Sequence, residues 1–169
     1  MNENLKILVE DNKKLLDQVI VLLGKVNDDL YNKKSNFLIK HSIGQHFRHI
    51  YAFYYQFING IVSGIIDYDS RIRDSRMESD CKYMLKSFSE ISSKLNINKN
   101  SKIILSYQLD NSDKEEVDSS IERELVFLYS HSLHHLAMIR GVLESEFGFT
   151  FKENLGFTVS TINHKSSLI

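Results

Sequence analysis

The stretch SSIERELVFLYSHSLHHLAMIRGVLESEF, Ser119–Phe147, decides how this chain is read. Ile121, Leu125, Leu128, Ile139 and Val142 recur at helical spacing, the mark of a helix with one buried face. Ser119, three residues ahead of Glu122, fits a capping box at its start. A helix turns about 100° per residue, so His131 and His135 differ by about 40° and stand one above the other. Their face continues into Leu128 and Ile139, and so looks inward; His134 is turned off it. Inward imidazoles need partners, because a buried polar group without one is costly. A divalent metal is one solution. A mutual hydrogen bond, a backbone group or water is another.

Working outward, three further segments carry the helical period. Leu5, Leu8, Leu15, Leu16, Val19, Leu22, Leu23 and Val26 predict one long helix from Asn4 to Tyr31, loosened near Gly24. After the polar linker NKKSN, Ser42 can cap a second helix with Ile43, Phe47, Ile50, Tyr54, Phe57 and Ile61 on one side, ending between Gly60 and Gly64. Tyr83, Leu85, Phe88, Ile91 and Leu95 mark a third. SKIILSYQLD alternates with a period of two and reads as a strand, with EEVDSS as its hairpin partner. The expectation is an all-α fold: an up-down four-helix bundle with a short β-hairpin before the last helix. It forms one domain over 1–169, with an irregular tail from about 156.

Composition narrows the function. The formal net charge of −1 gives no electrostatic basis for nucleic-acid binding. Tyr51, Phe53, Tyr54 and Tyr55 lack a basic groove and read as core and rim aromatics rather than a base-stacking platform. The apolar runs fall short of a membrane span. A single cysteine, Cys81, excludes an internal disulfide framework. With no leader-like segment at the N-terminus, a reducing, cytoplasmic setting is expected.

The second helix offers IGQHFRHIYAF, with His46 and His49 three residues apart, and either could face the last helix across the bundle. Three histidines from two helices, with positions left for water, have the character of a catalytic rather than a structural metal site. The connector DYDSRIRDSRMESD admits two readings. Arg71, Arg73, Asp74 and Glu78 either pair among themselves in solvent, or reach the mouth of the metal pocket and orient an anionic substrate. Glu124 reads as an outer acceptor for an imidazole N–H, or as an exposed acid paired with Arg48 or Arg123; exposure or pairing is the favoured expectation.

At these residues the chain resembles the DinB/YfiT-like superfamily of metal-binding four-helix bundles. The resemblance spans roughly 40–163 and rests on SIGQHFRHI, the acidic-basic connector, ERELVFLYSHSLHHLAMI and GFTVST. It implies a metal held by one histidine of the second helix and both of the HxxxH pair. On this chain those are His49, with His46 as second choice, and His131 and His135. His46, His134, Arg71, Arg73, Asp74, Glu78 and Glu124 are left as candidates for the outer shell or substrate rim. Relatives tend to carry a further histidine where Phe53 stands, and a proline where Val159 stands. The implied cofactor is a divalent ion, zinc or nickel first, with iron and manganese as alternatives. The implied activity is a metal-dependent transferase acting on a small thiol. A metal-dependent hydrolase and a non-enzymatic, stress-linked or homodimeric metal-binding bundle are the alternatives.

Overall fold

The structure is a computed structural model that describes residues 2–70, 73–110, 113–151 and 154–166. It is mostly helical, with two small sheets, so the all-α expectation holds only in part.

α1 (Glu3–Leu23) buries Leu5, Leu15, Leu16, Val19, Leu22 and Leu23 along one face. The expected single helix to Tyr31 is interrupted. Gly24 closes α1, and the Asn27 side chain accepts from the Leu30 N–H to start α2 (Asp28–Asn32). Lys34–Ser35 (β1) and His41–Ser42 (β2) then form a two-residue antiparallel pair inside what reads as a polar linker. α3 (Ile43–Ser63) opens on a full capping box between Ser42 and Gln45 and ends at Gly64, whose φ of 83° suits only glycine comfortably.

The connector is more ordered than its composition suggests. It holds β3 (Ile65–Asp67) and a single helical turn and a half, α4 (Ser75–Ser79), capped by Asp74. α5 (Cys81–Lys94) leads to β4 (Lys102–Tyr107) and β5 (Glu115–Ser120). The expected β4–β5 hairpin is present, with Lys102 opposite Ser120 and Tyr107 opposite Glu115. β3 adds a third strand, parallel to β4, with Ile65 opposite Ile104. That pairing brings β3 hard against α3. A Cβ on Gly60 would lie 2.5 Å from Ile66 Cγ1, so the close approach needs the glycine.

α6 (Ile121–Phe147) is capped by Ser120, whose hydroxyl accepts from the Arg123 N–H, and not by Ser119. The tail is not irregular throughout, because α7 (Val159–Ser166) is helical.

Both α1 and α3 pack against α5 and α6. The layer between them is filled by Leu16, Phe47, Ile50, Phe57, Met84, Phe88, Leu125 and Leu136, all buried. One polar tie crosses it. Tyr54 donates to Asn12 Oδ1 at 2.7 Å, and Asn12 Nδ2 donates to the Leu8 and Leu125 carbonyls at 2.8 and 3.1 Å. With both side chains fully buried, this network fixes α1, α3 and α6 in register. Among the described residues, no helix is long and apolar enough to cross a membrane.

Candidate metal centre

The α3–α6 packing brings His49 beside His131 and His135. One ring nitrogen from each lies within 4.8 Å of the others, and all three rings are half-buried. His49 Nε2 and His131 Nε2 are 3.0 Å apart. The ring centroids are 5.0 Å apart for His49 and His131, 4.5 Å for His49 and His135, and 4.6 Å for His131 and His135. A tetrahedral ion with metal–nitrogen bonds of about 2.0–2.1 Å sets its donors roughly 3.3 Å apart. The observed spacing brackets that value, and the donor set of three imidazoles suits zinc, nickel or iron. The residues therefore fit a divalent ion.

His46 lies one turn earlier on α3. Its Nδ1 is 2.9 Å from His135 Nδ1. This contact has a tautomeric consequence, because a neutral imidazole carries one N–H. If His135 Nδ1–H is the donor, its Nε2 keeps a free lone pair; the reverse direction places the proton on Nε2. The direction of this bond, set by the two tautomers, decides which nitrogen of His135 is left for a metal.

The rings disfavour protons. Burial, then His41 and His134, lowers His46 to about 4 from its ordinary 6.5. Burial, then His49, His131, His46 and His134, lowers His135 to about 3. From pH 6.5 downward the unfolded chain binds protons that these folded rings refuse. Stability is therefore fully present above that pH and declines as pH falls towards 4. The metal-free protein is expected to lose stability from about pH 6.5 down to about 4, by at most about 1.4 kcal/mol per pH unit for each ring. Partial exposure of the rings reduces that slope. Urea midpoints across the interval measure it, and a flat profile would contradict it.

An aromatic wall closes one side. Phe53 is 7% exposed and lies 4.2 Å from the His131 ring centroid and 4.8 Å from that of His49. Phe127 stacks on His131 at 5.4 Å, and Tyr68 stacks on Phe53 at 4.9 Å. Phe127, four residues before His131, could have been found from helical spacing. Tyr68 could not, because only the unexpected β3 delivers it here.

The remaining candidates scatter. His134 is exposed, with its ring 5.4 Å from that of His135. Glu78 pairs with Arg48 at 3.0 Å and accepts from Gln45 Nε2 at 3.3 Å, at the start of α3. Asp74 caps α4 and lines a different cavity, and Arg73 is exposed. Arg71 lies outside the described residues. Glu124 is not exposed. Its carboxylate is fully buried, accepting from Tyr68 Oη at 3.0 Å, Ser119 Oγ at 2.5 Å and Arg123 Nη1 at 2.7 Å. Arg48 is committed to Glu78, so of the two expected cations only Arg123 pairs with Glu124.

Compared with known proteins, the chain matches no family model, no curated protein and no solved structure.

Proposed function

We propose that this protein is a metal-dependent enzyme of the DinB/YfiT-like kind, a four-helix bundle that transfers a group to the sulfur of a small thiol. The observation that carries the reading is the convergence of His49, His131 and His135 from two packed helices. Two positions depart from the pattern of relatives. Val159 stands at the first position of α7, where a proline is at home, so the proline of relatives would be accommodated there. Phe53, in the place where relatives carry a histidine, lies against two of the three candidate ligands.

Three imidazoles leave a divalent ion with open positions, and such an ion supplies Lewis acidity that favours thiolate near neutral pH. The chain's own part is to present His49, His131 and His135 as neutral donors, to hold His135 in one tautomer through His46, and to shield the site with Phe53 and Phe127. In the transfer, a carbon–sulfur bond forms as a carbon–halide bond breaks. The halide leaves and the thiol proton passes to solvent.

The test uses untagged protein stripped and reloaded with zinc, nickel, iron(II) or manganese, mixed with a panel of small thiols and an activated haloarene. Thiol consumption that requires one of these metals is expected. Consumption indifferent to metal, or none across the panel, would overturn the reading.

A further inference from the structure

The face of α3 turned away from the histidines carries Tyr51, Ala52 and Tyr55. With Asp74 and Met77 of the α4 turn and Tyr83 of α5, they line a half-open cavity of about 240 Å³. Tyr51 and Tyr55 lie with ring centroids 6.0 Å apart and planes 30° apart, and Phe88 holds Tyr51 edge-on at 5.7 Å. Each lining tyrosine is only partly buried.

Three features give this cavity a chemistry. First, the electron-rich faces of tyrosine attract cations, and one ring of the set already holds one. The Arg76 guanidinium carbon sits 4.2 Å from the Tyr83 centroid, with its charge balanced by Asp80 at 3.3 Å. Second, Asp74 puts a carboxylate in the wall, and among the described residues no lysine or arginine lines the cavity. Burial, then Tyr55, Glu90, Tyr83 and Asp74, pushes the Tyr51 hydroxyl up to about 12, which agrees with a field hostile to negative charge. Third, the tyrosines here differ from four of the other five in the chain. Tyr31, Tyr54, Tyr68 and Tyr107 each donate to a protein acceptor, at 2.6, 2.7, 3.0 and 2.8 Å. Among the described residues, the Tyr51, Tyr55 and Tyr83 hydroxyls donate to none. They are free to meet a polar group on a ligand.

We propose that Tyr51, Tyr55, Tyr83 and Asp74 form a binding site for a small organic cation of the quaternary or methylated ammonium class. Such a cation is weakly hydrated, so moving it from water onto the Tyr51 and Tyr55 rings is less costly than for a bare ammonium, and Asp74 supplies the counter-charge. The site is independent of the histidines. It needs no metal, and it stands whether or not the thiol-transferase reading does.

The probe is choline, compared with 3,3-dimethylbutan-1-ol, which has the same shape with carbon in place of the charged nitrogen. Binding to the full chain is followed by calorimetry and by shifts of the tyrosine ring resonances. Saturable binding of choline is expected, with the neutral isostere weaker by about tenfold or more. Asp74→Asn should weaken choline severalfold while leaving α4 capped, since asparagine caps as well as aspartate. Tyr55→Phe keeps the ring face and should hold the affinity, whereas Tyr55→Leu should lose it. No saturation up to tens of millimolar, equal binding of the isostere, or indifference to Tyr55→Leu in a protein that folds normally would overturn the proposal.

Discussion

Alanine at His131 or His135 is expected to cut bound metal from about one equivalent to near zero and to weaken the affinity at least about 100-fold. With two imidazoles left, the ion loses a third of its protein donors. His46→Ala is expected to behave differently. The ion stays at saturating metal, but the affinity falls about 10–100-fold, the range for losing an outer partner of a liganding histidine. His46→Asn, which restores an acceptor opposite His135 Nδ1, should recover part of that loss. Elemental analysis and competition titration measure both. Thermal unfolding gives a second readout, because an ion at about 100 times its Kd stabilises the folded state by about 2.7 kcal/mol. That increment should vanish in His135→Ala while the metal-free variant melts close to the metal-free parent. Unchanged metal in His135→Ala would remove the centre, and the proposed activity with it.

How much of this was legible in the sequence depends on which physical force decides each element. α3, α5 and α6 follow from apolar periodicity, because tertiary burial and local helical spacing ask for largely the same residues, although α5 turns Met84 inward and leaves Tyr83 and Leu85 half-buried. The inward direction of His131 and His135 follows for the same reason. The choice between His46 and His49 did not follow from spacing, since both lie on the α6-facing side of α3. Packing separates them: His49 meets both His131 and His135, while His46 touches Nδ1 of His135 and stands outside the three-histidine cluster. The strands β1, β2 and β3 escaped because runs of two or three residues carry no period, and their hydrogen bonds go to partners distant in sequence. β4 was found by its alternation, yet its buried residues are Ile103 and Ser106 rather than a strict every-other set, because β3 and β5 flank it unequally. Ser120 displaced Ser119 as the α6 cap because the Ser119 hydroxyl is drawn to Glu124.

Glu124 is where the sequence misled most, and the largest stability effect is expected there. A carboxylate in the first turn of a helix normally reads as solvent-facing and favourable to the helix dipole. Here β3 carries Tyr68 over the start of α6, and the acid is enclosed between Tyr68, Ser119 and Arg123. Removing it strands what it satisfied. The Tyr68 hydroxyl, in a residue 8% exposed and already pushed up by burial and then by Glu124, would face no acceptor, and the Arg123 charge would lose its partner. Glu124→Ala is therefore expected to destabilise by about 2–3 kcal/mol, the cost of leaving the buried Tyr68 and Ser119 hydroxyls without their acceptor, because the more than half-exposed Arg123 returns to water. Glu124→Gln keeps the shape and one acceptor, and should cost about 1–2 kcal/mol. The double variant Glu124→Ala with Tyr68→Phe separates the contributions. Deleting the orphaned hydroxyl should return about 1 kcal/mol or more, so the pair should be less than additive. Urea unfolding of the parent, Glu124→Ala, Glu124→Gln, Tyr68→Phe and the double variant measures these differences. Metal stoichiometry at saturation should stay the same in all of them, because the rings of Tyr68, Phe53 and Phe127 stand between Glu124 and the histidines. A loss below about 1 kcal/mol in Glu124→Ala would mean that water enters and replaces the carboxylate, and that the β3–α6 corner is held by the stacked rings of Tyr68, Phe53 and Phe127 instead.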